Sequence, residues 1–166
     1  MKILIIEDEK ELALSISEYL SKESYLCEVA STFTEAVRKI EVFDYDCILL
    51  DITLPDGNGL KILEELKKEN KQDGVIIISA RNSLDDKIKG LQIGADDYLT
   101  KPFHLSELTA RMYSLIRRRQ FNNSNIVRQG ELEIDLLAKT VSVNKTMVAL
   151  TKKEFGLLIY FIGNKN

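Results

Sequence analysis

Five times within residues 1–119 the chain alternates a short strand-like stretch with a helix-like one, and this alternation limits the fold more than any other feature. The stretches KILII at 2–6, DCILL at 46–50 and VIIIS at 75–79 carry almost no polar interruption, and weaker strand signals lie near 25–30 and at YLT, 98–100. A strand that is apolar at every position must be covered on both faces, which points to a parallel sheet sandwiched between helices. The intervening segments meet that need. Residues 9–22 place Leu12, Ile16, Tyr19 and Leu20 at helical spacing, and a Thr-Phe-Thr-Glu start opens a helix over 32–41. From Gly59, GLKILEELKKEN sets Leu60, Leu63 and Leu66 along one side, and a further helix spans 83–94, ending at Gly94. After Pro102, residues 105–119 form a last helix whose arginines gather at its C-terminal end, where the helix dipole favours them.

Beyond residue 119 the pattern changes. QFNNSNIVRQG, 120–130, is polar and aperiodic and reads as a linker. Short β-type runs follow with a turn at Asn144-Lys145, and the tail opens with Thr151 three residues before Glu154, a capping-box start. The expected division is a first domain at 1–119, a linker at 120–126 and an incomplete second domain at 127–166. The apolar side of 155–162 is expected to lack partners, leaving the segment mobile or packed on another molecule.

A length of 166 residues suits one ordinary domain with part of another, and 45% apolar with 30% charged residues suits a soluble globular chain. The apolar runs are of strand length, so no membrane span is expected. Cys27 and Cys47 sit among apolar neighbours without a CxxC pattern and read as buried thiols, and the single His104 excludes a multi-histidine site. These features place the chain in the cytoplasm. A formal charge of −3 gives no sign of a surface coated for nucleic acid.

In a parallel sheet, ligands meet the carboxyl ends of the strands. Those ends carry Glu7-Asp8, Asp51, Ser79-Ala80 and Thr100-Lys101-Pro102. Unit charges about 4 Å apart repel by about 4 kcal/mol at an effective dielectric of about 20, so three acids on one rim need neutralising. Lys101 supplies one positive charge and a hard divalent cation two; Mg2+ suits a few carboxylates plus phosphate oxygens, whereas Ca2+ asks for more ligands. A carboxylate can attack phosphorus, and phosphoryl transfer asks chiefly for positioning and charge stabilisation. No GxxxxGK[ST] is present, so the phosphoryl group must arrive already activated, with Asp51 as its acceptor. Two other classes stay open. One is a phosphatase with an aspartyl nucleophile, against which Thr53 at the second position after Asp51 speaks; the other is a docking module that binds no metal.

The motifs IIEDE, LLDITLPDGNGL, IIISAR and GADDYLTKPF, in this order and spacing, closely resemble a two-component response regulator of the OmpR/PhoB type. The resemblance implies a flavodoxin-like, doubly wound five-stranded parallel sheet of order 2-1-3-4-5 over residues 1–119. It implies that Asp51 is the phosphoacceptor and that Glu7 and Asp8 form an acidic pocket, with Mg2+ held by Asp8, Asp51 and the backbone carbonyl of Thr53. Ser79 would be the switch hydroxyl, in place of the commoner Thr, with small Ala80 leaving room beside it. Lys101 would be the phosphate partner, Tyr98 the switch aromatic, and Lys101-Pro102 a cis peptide.

By the same resemblance the phosphodonor is a sensor histidine kinase, and phosphorylation promotes a homodimer through the fourth helix, fifth strand and fifth helix. Lys87, Lys89, Asp96, Asp97, Glu107, Arg111 and Arg118 would pair there; a two-fold interface must complement itself, and mixed charges allow that. LTKKEFGLLIYFIGNKN resembles the first helix of a winged-helix effector, making 127–166 its N-terminal sheet and first helix. Its recognition helix and wing are absent from these residues, so promoter DNA binding is expected only of a longer protein.

Overall fold

Inward-facing side chains alternate along the strands, and this decides how the helices lie. Residues 1–121 and 124–163 are described by a computed structural model. In chain order the first part comprises β1 Lys2–Ile6, α1 Lys10–Lys22, β2 Leu26–Ala30, α2 Phe33–Val42 and β3 Cys47–Asp51. A short pair, β4 Thr53–Leu54 and β5 Gly57–Asn58, then precedes α3 Gly59–Lys68, β6 Gly74–Ser79, α4 Leu84–Ile93, β7 Asp97–Thr100 and α5 Leu105–Gln120. The second part comprises β8 Ile126–Gln129, β9 Leu132–Asp135, β10 Thr140–Val143, β11 Thr146–Val148 and α6 Lys152–Gly163.

β1, β2, β3, β6 and β7 pair in parallel in the order β2-β1-β3-β6-β7. Counting only the strands of this sheet, the order is 2-1-3-4-5, the one the motifs implied. Leu4, Ile6, Ile48, Leu50, Val75 and Ile77 face one side and pack on α2 and α3 through Ala36, Ile40, Ile62 and Leu63. Ile3, Ile5, Cys47, Leu49, Ile76 and Ile78 face the other and pack on α1 and α5 through Ile16, Leu20, Leu108 and Met112. The period-2 alternation of a strand thus feeds two cores, which is why these runs are apolar throughout. Cys27 and Cys47 are free thiols.

The second part is a four-stranded antiparallel sheet of order β11-β10-β9-β8 with α6 laid on it. Gly130, at φ 59°, turns β8 into β9, and Asn144 and Lys145, at φ 51° and 64°, make the tight turn into β11. The capping box at α6 is formed: the Thr151 N–H donates to Glu154 Oε2 at 2.7 Å and the Glu154 N–H to Thr151 Oγ1 at 3.3 Å.

Two expectations are corrected here. Within the stretch expected as linker, Gln120 completes α5 and 126–129 form a strand, because their backbone pairs with β9 despite the polar side chains. The apolar side of α6 does not lack partners: Ile159 is buried with Phe121, Ile134, Leu136 and Val141, and Phe155, Leu158 and Ile162 pack at its edge. One apolar sheet face, helped by Met1 and Tyr113 from the first part, covers one side of the helix, while Leu157, Tyr160 and Phe161 stay exposed. Asn122 and Asn123 of the expected linker and residues 164–166 lie outside the described residues.

Candidate functional site

The rim at the carboxyl ends of β1, β3, β6 and β7 brings charged groups together because each strand stops being apolar there. Glu7 and Asp51 are buried, at 1% and 4% exposure, while Asp8 is exposed. One carboxylate oxygen from each of Glu7, Asp8 and Asp51 lies within 4.8 Å of the others. Lys101 follows β7 and reaches back across the sheet, its Nζ 2.8 Å from Glu7 Oε1, 2.7 Å from Glu7 Oε2 and 2.5 Å from Asp51 Oδ2. Its own N–H donates to the Ser79 carbonyl at 2.8 Å, tying it to the end of β6, and the Lys101-Pro102 peptide is cis.

The electrostatics follow from burial. Burial pushes the Glu7 carboxyl above its ordinary range, against the downward pull of the Lys101 ammonium. For Lys101 burial is the largest single influence and acts downward, yet Asp51 and Glu7 together outweigh it and hold the ammonium above its ordinary range. One ammonium among three carboxylates leaves two formal negative charges over. An all-oxygen donor set with that residual charge fits a hard divalent cation, and Mg2+ in particular, which takes few protein carboxylates.

Both Asp51 oxygens are engaged, Oδ2 by Lys101 and Oδ1 by the Thr53 N–H at 2.9 Å. Thr53 itself is exposed and pairs with Asn58 in the β4–β5 hairpin. Sequence analysis assigned no strands to this segment, since two-residue strands carry no periodic signal. It also missed Gly59, where a Cβ would overlap the Asp51 carbonyl oxygen, so α3 starts directly against the backbone of the candidate acceptor.

Ser79 is fully buried and its Oγ accepts the Arg81 N–H at 3.2 Å, with Ala80 exposed beside it. Tyr98 lies half-exposed, its hydroxyl donating to the Arg81 carbonyl at 2.9 Å. Burial, the largest influence, raises that hydroxyl above the ordinary tyrosine range. Ser79 and Tyr98 are thus both tied to the segment leaving β6. Gly90 of α4 explains how the helix sits so close: a Cβ there would come 2.6 Å from Ile77 and 3.5 Å from the Tyr98 ring.

The residues expected to pair between copies divide into two groups. Arg111 bonds Asp97 at 2.9 Å and Glu107 at 2.8 Å, and Asp96 bonds Arg119 at 2.8 Å while accepting the Val75 N–H at 2.8 Å. Lys87, Lys89 and Arg118 form no ion pair with another described residue.

Comparison with known proteins agrees with this arrangement. The family pattern described as the response regulator receiver domain matches residues 3–113. The transcriptional regulatory protein PmrA of Pectobacterium parmentieri is 42% identical over 158 residues, covering 95% of this chain and 71% of the relative. The transcriptional regulatory protein CiaR of Streptococcus pneumoniae is 41% identical over 166 residues, covering 100% and 74%. Among solved structures, response regulator DrrB, an OmpR/PhoB homologue from Thermotoga maritima, superposes with a TM-score of 0.64 at 28% identity over 98% of this chain and 72% of its own. A five-stranded parallel sheet with an acid-lined rim, matched to receiver domains over two cores and to full regulators beyond them, places the chain among the response regulators of the OmpR/PhoB type.

Proposed function

We propose that Asp51 accepts a phosphoryl group from the phosphohistidine of a sensor histidine kinase in the cytoplasm, and that this charge change drives two copies of the chain together. The observation carrying the reading is the meeting of Glu7, Asp8 and Asp51 within 4.8 Å beside the Lys101 ammonium. A carboxylate oxygen of Asp51 forms the new O–P bond as the P–N bond breaks, and the leaving imidazole departs with a proton. Asp8 and Asp51, backed by Glu7 and the Thr53 carbonyl, would hold Mg2+. Bound there, the ion supplies positive charge to the phosphoryl oxygens.

The switch follows from the same geometry. Lys101, paired with Asp51 at rest, re-pairs with a phosphoryl oxygen. The Ser79 hydroxyl gives up the Arg81 N–H for the phosphoryl group, and Tyr98 releases the Arg81 carbonyl and turns into the vacated space. Tyr98 packs against α4, so its movement biases the face formed by α4, β7 and α5. Leu84, Ile88 and Leu91 line α4 there as an exposed apolar stripe, flanked by Lys87, Lys89, Asp97, Glu107, Arg111 and Arg118, which supports an isologous homodimer. Residues 1–119 act as the receiver, and β8 to α6, from Ile126 to Gly163, form the N-terminal sheet and first helix of a winged-helix effector. Promoter DNA is then a partner of a protein carrying the rest of that effector.

Mg2+-dependent labelling by a small acyl phosphate, followed by intact mass, tests the reading. One phosphoryl group is expected, and Asp51→Asn should reduce labelling to background. Labelling that ignores Mg2+ or survives the substitution refutes it, and sustained turnover of a phosphate ester would mark a phosphatase instead.

A further inference from the structure

Asp56 lies outside the acid cluster, on the exposed tip between β4 and β5. Its carboxylate reaches across to the start of α2, accepting from the Phe33 N–H at 2.6 Å, the Thr34 N–H at 3.0 Å and the Thr34 hydroxyl at 2.9 Å. Thr32, the residue capping α2 from its own chain end, takes only the Glu35 N–H, at 3.1 Å. The free N–H groups of this helix start are therefore shared between a local cap and one from a distant loop. A local cap steadies a helix; a cap borrowed from residue 56 also steadies the loop that lends it.

That loop begins at the candidate acceptor. The hairpin holds itself by only two residue pairs, Thr53 with Asn58 and Leu54 with Gly57, which is too little for independent stability. Its outer end is held by Asp56 and by Gly57, pressed so closely on Phe33 that a Cβ would come 2.8 Å from the ring. Its inner end is Thr53, whose N–H bonds Asp51 Oδ1. The Thr34 N–H, and after it the Phe33 N–H and Thr34 hydroxyl, hold the Asp56 carboxyl below the ordinary aspartate range, so it is ionised at neutral pH.

We infer that Asp56 is a positioning residue for the phosphoryl-accepting site: by clamping the β4–β5 hairpin to the start of α2 it fixes Thr53, and through Thr53 one oxygen of Asp51. The inference rests on the reading of Asp51 as a Mg2+-assisted phosphoacceptor. It concerns Asp56, which contributes no ligand and touches no reacting atom.

The test compares the full chain with Asp56→Ala and Asp56→Asn, using calorimetric titration with MgCl2, amide hydrogen exchange over 53–58 and Asp51 labelling. Asp56→Ala should weaken Mg2+ binding about tenfold, the size usual for groups that orient metal ligands. Exchange at 53–58 should quicken while the β1 and β6 amides stay protected. Asp56→Asn, which keeps an acceptor, should fall between Ala and the parent. A folded Ala variant with parental Mg2+ affinity and parental exchange overturns the inference. Where Asp56→Ala does not fold, Thr34→Val removes a single donor and carries the same comparison. A parent chain that neither binds Mg2+ nor accepts phosphate removes the functional reading, while the exchange at 53–58 still decides whether the clamp exists.

Discussion

Glu7 illustrates how one buried acid couples the site to stability. Its carboxyl is raised by burial against the pull of Lys101, so the folded state prefers the proton more than the unfolded chain does. The stability this contributes is full below the ordinary glutamate range and is lost as pH rises through the raised folded value. Glu7→Gln fixes the neutral form. Relative to the parent it should therefore gain stability as pH increases from about 4 to about 7 in the presence of a chelator. Urea titrations at several pH values check this, and a difference that stays flat with pH would contradict it. Saturating Mg2+ should favour the parent, since only the ionised acid rewards a cation.

The strand–helix junction after β3 shows what an element tolerates. Gly59 lets α3 begin in contact with the Asp51 backbone, and an added methyl group would have to displace strand end or helix start. Gly59→Ala should cost about 3 kcal/mol, at the upper end of overpacking effects, and slow Asp51 labelling more than a loss of stability alone explains. Thermal unfolding measured alongside labelling separates the two. The three central strands β1, β3 and β6 were legible because residues buried on both faces leave an unbroken apolar run, as Ile76, Ile77 and Ile78 do, whereas the edge strands β2 and β7, buried less, gave weaker signals. The rim followed from strand ends alone. The β4–β5 hairpin was not legible, since its order comes from Phe33 and Asp56, far apart in sequence. Nor was the burial of Ile159, which depends on β9, β10 and the end of α5. The in-chain pairing of Asp96 with Arg119 was equally hidden, because a charge pattern does not say which partner folding brings near.

At the scale of the whole molecule, the two parts meet through an apolar cluster and through ion pairs of Glu23. Glu23, at the end of α1, lies 2.7 Å from Lys139 and 3.4 Å from Lys152, and Lys139 is the largest influence lowering its carboxyl below the ordinary range. These groups are partly exposed, so Glu23→Gln should change overall stability by less than about 1 kcal/mol. It should nonetheless quicken proteolysis around residue 121, and more so at low salt, where the pairing contributes most. Association between copies belongs to the same scale. Phosphorylated chain should sediment as a dimer and unphosphorylated chain as a monomer, with Arg111→Glu lowering the dimer fraction by turning its in-chain partners against it. Equal sedimentation of the two forms would refute the switch.

Met1 packs at the edge of the core beneath α1 and also at the edge of the cluster beneath α6, and its carbonyl accepts the Leu26 N–H at 2.9 Å. Any polypeptide fused ahead of it starts beside the seam between the two halves. An affinity tag at that end would act as a wedge there, and sensor fusions intended to report the resting arrangement are better carried elsewhere.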